Sequence, residues 1–241
     1  MLVGSVKELR RYPVKSFAGE QLLEESRIEK YGMYGDRWHA FVDETKTGWN
    51  SYVTARGIPA MLGYRAEVIE SPDESEPPHV RVTAPDGTLY RWNEELLEDV
   101  QKLTPTKLSM RNYFEQGADL MGVDDSPILL VTDRSLRKLE TLWGKSLEPL
   151  RFRANLLISL NDDATSETEW VGKELQIGTA TIRIDKGCER CSMITLDPDT
   201  RERDPSLLKV VHQQFQSTFG MYASVATPGK IAIGDEIWLR D

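Results

Sequence analysis

Apolar residues recur at every second position through much of the chain. Ala40 and Val42 follow Trp38 at alternate positions, Leu62, Tyr64, Ala66 and Val68 repeat the pattern, and Val80 and Val82 do so ahead of the Pro85-Asp86-Gly87 turn. Side chains of an extended strand point alternately to its two faces, so these stretches predict half-buried β-strands. Ile128-Leu129-Leu130-Val131 is apolar without a break and predicts a buried strand, and Asn155-Leu156-Leu157-Ile158-Ser159 follows it in the same style. Ile177, Ala180, Ile182 and Ile184 return to alternation. Ala223-Ser224-Val225-Ala226 is expected to pair with Ile231-Ala232-Ile233 across Pro228-Gly229.

Helical spacing occurs in three places, each behind a residue suited to capping. Leu96, Leu97, Val100 and Leu103 follow Asn93; Leu136, Leu139 and Leu142 follow Thr132 or Asp133 and end near Gly144; Leu207, Leu208, Val211 and Phe215 follow Asp204-Pro205. These stripes face a core rather than a ligand. The acidic, proline-rich run from Glu70 to Pro78 cannot bury anything and predicts a solvated hairpin loop. The pattern changes between Arg111 and Asp125, which sets the expected units at 1–115 and 116–241. Many short strands separated by turns, with few helices, point to a mainly β (α+β) fold of barrels or sandwiches.

The 241 residues include 39% hydrophobic positions and six Trp, enough for a core without disulfide support. The formal charge of −9 argues against a nucleic-acid or anionic-membrane surface, so any anion site must be local. No apolar run approaches the roughly 18 residues of a membrane-spanning helix, and Met1 to Val6 shows no leader, so the expectation is a cytoplasmic protein with no membrane contact. In that compartment its two cysteines stay reduced.

Both cysteines lie in Lys186-Gly187-Cys188-Glu189-Arg190-Cys191-Ser192, beside an arginine and ahead of Asp197-Pro198-Asp199-Thr200. A structural zinc site needs about four ligands, and His39, His79 and His212 are isolated. A thioredoxin-type dithiol expects a helix to begin at the pair, and no helical stripe starts there. Two readings stay open on spacing alone: one exposed thiolate ligating a soft metal whose other sulfur ligands come from a cofactor, or two buried structural thiols. Elsewhere, Lys15-Ser16 after Tyr12-Pro13-Val14 sets an ammonium beside a hydroxyl. Arg37 follows the Gly32-Met33-Tyr34-Gly35 turn with a guanidinium that matches phosphate oxygens. Arg153 and Asn155 would share a strand face at two-residue spacing, which suits an anion or pterin contact. Asp124-Asp125-Ser126-Pro127 puts acids at a strand entrance, where they serve as turn residues or as a proton source.

Taken together, these segments resemble the MOSC superfamily, the molybdenum cofactor sulfurase C-terminal domain, in the two-part form that carries an N-terminal MOSC-type β-barrel. The resemblance rests on Tyr12 to Ser16 with Gly19, Gly35 to Trp38, Val53 to Arg56 with Pro59, Asp124 to Leu130, Ser135-Leu136 and Arg151 to Asn155. It continues through Trp170, Gly172, Ile177-Gly178, Cys188-x-x-Cys191, Asp197 to Thr200 and Pro228 to Asp235. It spans nearly the whole chain and is strongest toward the amidoxime-reducing branch. The resemblance implies a β-barrel MOSC domain packed with the N-terminal MOSC-type barrel and a few short helices. It also implies a molybdenum cofactor held by Cys191 as metal ligand, with Cys188 a structural neighbour. Lys15, Ser16, Arg37, Arg153, Asn155 and Thr195 would then line the cofactor site, with Ser126 and the proton relay Asp124 near the metal. The implied activity is reduction of small N-hydroxylated compounds, with electrons from a separate flavoprotein or ferredoxin-type partner because the chain carries neither an anchor nor a fused redox domain. A cofactor or sulfur carrier is the alternative, and a dithiol oxidoreductase a third. Two positions depart from the family pattern: Arg201 stands where relatives have Gly, and Ala154 where Pro is common.

Overall fold

The computed structural model describes residues 1–69, 77–113 and 125–240. Seven strands close into a barrel in the spatial order Leu156–Leu160, Ile128–Thr132, Thr218–Thr227, Ala180–Glu189, Glu174–Ile177, Glu236–Arg240 and Leu2–Arg11, the last pairing back onto the first. Closure leaves no bare strand edge in this ring. Alternation sends Val3, Val6, Ile128, Leu130, Ile158, Ile182 and Ile237 into the lumen, where they form one core with Trp170. The strand that completes the ring comes from the start of the chain. Its approach depends on Gly4, since a Cβ there would stand 2.1 Å from the Ser159 carbonyl oxygen.

The one parallel contact of the ring joins Ile128–Thr132 to Leu156–Leu160, and a parallel pair needs a crossover. Helix α2, Asp133–Trp143, supplies it. Thr132 accepts from the Ser135 N–H at its start, and Gly144 ends it in the left-handed region at φ 72°. Helix α3, Pro205–Gln214, begins at Asp204, whose side chain accepts from the Ser206 N–H. Leu136 and Leu139 of α2 and Leu207 and Val211 of α3 cover the outer face of the barrel at Leu129, Val131 and Leu157. This explains the unbroken apolar run at 128–131: both faces of that strand are buried.

The first half folds as small sheets. His39–Asp43 pairs with Leu108–Asn112, and Arg65–Ile69, His79–Thr83 and Leu89–Arg91 form a meander around a core of Phe17, Phe41, Met61 and Tyr64. Helix α1, Glu94–Gln101, is capped by Asn93 and buries Leu96 and Val100 against the same core. The fold is thus mainly β with three α-helices among the described residues, and none of them is long and apolar enough to cross a membrane.

Two strand expectations are corrected. Leu62 lies in a 3-10 turn, Pro59–Gly63, and the strand begins only at Arg65, because Pro59 opens a helical turn that uses the local backbone donors. Thr218–Thr227 does not pair with Gly229–Ala232. One of its edges is taken by Ala180–Glu189 along its length and the other by Ile128–Thr132 at Met221–Ala223, and the following segment pairs with Glu25–Glu29 instead. In the acidic run, residues 70–76 lie outside the described residues; the flanking strands pair as the expected hairpin.

His39 is 3% exposed, packs against the Trp92 ring at 4.7 Å, and its Nδ1 has no hydrogen-bond partner. Burial disfavours the imidazolium; with His79 adding to it and a bond at Pro13 opposing, the pKa is pushed down to about 3. The unfolded chain takes up that proton near pH 6.5, so this contribution to stability is complete above about pH 6.5 and is lost as pH falls toward about 3. Urea unfolding between pH 7 and pH 4 is expected to show that fall, and His39→Phe should remove at most about 3 kcal/mol of it. An unchanged pH slope in the variant would contradict a buried neutral imidazole.

Candidate functional site

The segment Tyr12–Phe17 leaves the barrel strand and crosses to the first-half core. The His39 N–H donates to the Pro13 carbonyl at 3.0 Å and the Lys15 N–H donates to the His39 carbonyl at 2.8 Å, which fixes Lys15 and Ser16 beside strand His39–Asp43. Ser16 turns at φ 70°. One turn away in space, Asp36, 2% exposed, accepts from the Tyr12 N–H at 2.7 Å and pairs with Arg37. Arg37, itself at φ 47°, reaches across the chain: its Nη1 donates to Asn155 Oδ1 at 3.2 Å and its Nη2 to the Arg153 carbonyl at 3.0 Å.

Arg153 closes the 3-10 turn Pro149–Phe152 at φ 56°, and strand Leu156–Leu160 begins only after it. The expected shared strand face of Arg153 and Asn155 therefore does not exist. A left-handed residue redirects the chain instead, and both side chains still arrive at one cleft. Arg153 donates to the Phe17 carbonyl at 2.7 Å and lies over the Tyr12 ring at 4.2 Å. Asn155 is fully buried: its Oδ1 also accepts from the Leu129 N–H at 3.1 Å and its Nδ2 donates to the Arg10 carbonyl at 3.3 Å. Its amide is a joint between three segments.

Lys15, Ser16, Arg37, Ser126, Arg153, Asn155 and Cys191 line a single solvent-open cleft between the two halves. Thr195 is not among its walls. It is 4% exposed and its hydroxyl donates to the Ser192 carbonyl at 2.7 Å, closing the turn after the cysteines. The Ser126 hydroxyl donates to Asp185 at 2.7 Å. Asp124 lies outside the described residues.

The cysteines differ sharply. Cys188 is 2% exposed at the end of strand Ala180–Glu189, whereas Cys191 is exposed and followed by the 3-10 turn Ser192–Thr195 rather than an α-helix. That arrangement disfavours a dithiol pair of equal access. Three further cleft residues stood in the quoted motifs without a role: Thr54, Arg56 and Arg190. Arg190 donates to Cys188 Sγ at 2.9 Å and to the Phe152 carbonyl at 3.0 Å, while its buried Nε has no partner. Position between two cysteines was the signal that could have singled it out.

The cleft gathers five cationic side chains, Lys15, Arg37, Arg56, Arg153 and Arg190, against Glu189 and the paired Asp36 in a chain of net charge −9. Ser16, Arg37 and Arg153, three of the six non-glycine residues with positive φ among the described residues, all line it. Such conformations cost about 1 kcal/mol or more each and persist where the surrounding structure imposes them, typically at ligand sites. An unmet buried N–H, clustered cations and one exposed thiol fit a polyanionic group carrying a soft metal. Among the described residues, no group of three or more His, Cys, Asp or Glu could hold a metal ion.

Residues 117–238 match the MOSC domain family, and residues 3–118 match the MOSC N-terminal beta barrel domain. Over 131 residues, 48% of this chain, the sequence is 32% identical to mitochondrial amidoxime-reducing component 1 of Homo sapiens, covering 37% of that protein. Over 153 residues, 57% of this chain, it is 31% identical to mitochondrial amidoxime reducing component 2 of Rattus norvegicus, covering 42% of it. Over 120 residues it is 33% identical to the molybdenum cofactor sulfurase of Drosophila persimilis, 48% of this chain but 14% of that protein. The chain thus spans less than half the length of these curated relatives. Among solved structures, the YUAD protein from Bacillus subtilis superposes with a TM-score of 0.53 over 99% of this chain and 96% of its own, at 14% identity, a likeness of fold alone.

The unequal exposure of the cysteines has a direct readout. Native protein treated with iodoacetamide is expected to take up one label, mapped by mass spectrometry to Cys191, and a second only after unfolding. Equal labelling of Cys188 in the native state would contradict the burial described.

Proposed function

Because the chain belongs to the MOSC family and carries both the MOSC domain and its N-terminal partner, we propose that it is a molybdenum-cofactor-dependent oxidoreductase that reduces N-hydroxylated compounds such as amidoximes and hydroxamic acids. The observation that carries this reading is the exposed Cys191 thiol at one wall of a cleft whose other walls present five cations. When bound, the cofactor supplies a metal that exchanges an oxygen atom and two electrons with the substrate.

The chain's own residues hold and orient that group. Cys191, deprotonated, is the protein's ligand, a soft anionic donor. Lys15, Ser16, Arg37 and Arg153 bind the phosphate and pterin, with Arg190 adding its unmet N–H. Asn155 acts through Arg37 by fixing its guanidinium. Ser126 lines the metal side of the cleft, and Thr195 supports the Cys191 turn from behind rather than touching the ligand. Proton delivery falls to Asp124. Electrons come from a separate flavoprotein or ferredoxin-type donor. A reducing compartment such as the cytoplasm suits this reading, since both cysteines are free thiols.

The likeness of about half of the chain to a molybdenum cofactor sulfurase favours one rival, a carrier that binds the cofactor or its sulfur without turnover. Steady-state reduction of benzamidoxime by cofactor-loaded protein with an artificial reductant separates the two. Turnover is expected for wild type, and Cys191→Ala should lose it to background while its thermal unfolding stays within about 2 °C, because an exposed side chain contributes little to stability. Undiminished turnover in Cys191→Ala would sink the ligand assignment; cofactor binding without turnover in wild type would favour the carrier.

A further inference from the structure

Single exposed apolar side chains are ordinary on a protein surface. Trp49, 42% exposed, is set apart by what its ring covers. It lies on the 3-10 turn Gly48–Ser51, which Gly48 opens at φ 61° and the Ser51 hydroxyl closes by donating to the Gly48 carbonyl at 2.7 Å. The Tyr52 N–H donates to the Trp49 carbonyl at 3.2 Å, and the Val53 N–H donates to the Phe41 carbonyl at 3.0 Å. With a bridge between Tyr52 and Val42, these bonds tie the turn to strand His39–Asp43. The Trp49 and Tyr52 rings thereby meet at 5.1 Å between centroids, Trp49 exposed and Tyr52 buried.

Both rings meet one cation. The Lys15 ammonium lies 4.4 Å from the centroid of the Trp49 ring and 5.5 Å from that of Tyr52, within reach of a cation–π attraction. Lys15 also lines the cleft, where Arg37, Arg56, Arg153 and Arg190 bring four more positive charges. Like charges in one cleft repel, and a strongly hydrated ammonium on a flexible four-carbon stem gains by swinging out to water. Yet Lys15 is only 6% exposed. The two aromatic faces oppose that escape. They attract the ammonium and keep water from it, which strengthens its field toward the cleft.

We propose that Trp49, backed by Tyr52, is a positioning residue that holds the Lys15 ammonium at the anion-binding wall of the cleft. An ammonium already in place loses less freedom when an anion arrives, so the indole adds to affinity without touching the ligand. The inference rests on the reading of Lys15 as a phosphate-binding residue. It extends the site to the turn at 48–51, none of whose residues lines the cleft.

Inorganic pyrophosphate is the probe, titrated calorimetrically into the full chain expressed without cofactor. Wild type is expected to bind it saturably, and Lys15→Gln about tenfold more weakly. Trp49→Leu removes the π face and keeps an apolar side chain, and it should weaken binding about threefold to tenfold. Trp49→Phe restores a ring and should recover part of that loss. In a Lys15→Gln background, Trp49→Leu should change affinity by less than about twofold, because the cation it acts through is gone. The positioning role alone is overturned if Trp49→Leu binds pyrophosphate as wild type does, if Trp49→Phe binds no better than Trp49→Leu, or if the loss is the same with and without Lys15. Wild type that fails to saturate, or Lys15→Gln that binds as wild type does, removes the anion role of Lys15 and the proposal with it.

Discussion

Arg37 holds the two halves of this protein in register. Its guanidinium pairs with Asp36 on its own turn, then donates across the chain to Asn155 and to the Arg153 carbonyl. Asp36 in turn anchors the Tyr12 N–H, and Asn155 anchors the Leu129 N–H and the Arg10 carbonyl. A buried ion pair contributes little net stability, because desolvation offsets its attraction, but removing one member leaves the other charged and unpaired. The arrangement therefore specifies position more than it stabilises. The segments at Arg10, Tyr12, Leu129 and Arg153 each make a hydrogen bond to this network.

Holding the network requires backbone that most residues avoid. Ser16, Arg37 and Arg153 sit in the left-handed region, each at the point where the chain must turn a functional side chain toward the cleft. The same conformation recurs at Arg201, φ 63°, where the family resemblance leads to an expectation of glycine. Glycine adopts that geometry without a Cβ clash, and arginine adopts it at a cost of about 1 kcal/mol. Its guanidinium lies against Gly63, where an added Cβ would come within 2.5 Å of Nη1. Arg201 thus makes a contact between the loop after the cysteines and the first half.

Arg153 and Met193 line both the cleft and a second cavity whose walls include Leu62, Leu150 and Leu196. The Tyr12 ring lies 4.2 Å from the Arg153 guanidinium and 4.9 Å from that of Arg37. Cations stacked on an aromatic face keep their outward N–H groups available to acceptors. The site is cationic in an acidic chain because the fold collects arginines from distant segments, not because the sequence is locally basic.

The amino-acid sequence by itself determined the elements whose signals are local. Period-two runs marked strands, Asn93, Thr132 and Asp204 marked the three helix starts, and Gly144 marked a helix end, because pleat, cap and left-handed turn each depend on residues a few positions apart. Motif order, through family resemblance, brought together most of the cleft residues named from sequence. Tertiary structure alone decided which strand closes the barrel, that the segment after Thr218–Thr227 pairs with Glu25–Glu29 rather than folding back as a hairpin, and that Leu62 belongs to a turn. It also decided that Cys188 is buried while Cys191 is exposed, that Thr195 does not line the cleft, and that Arg153 reaches it from a left-handed turn. These are outcomes of competition for strand edges, volume and hydrogen-bond partners between residues more than 100 positions apart, such as Arg37 and Asn155, and no local pattern encodes them.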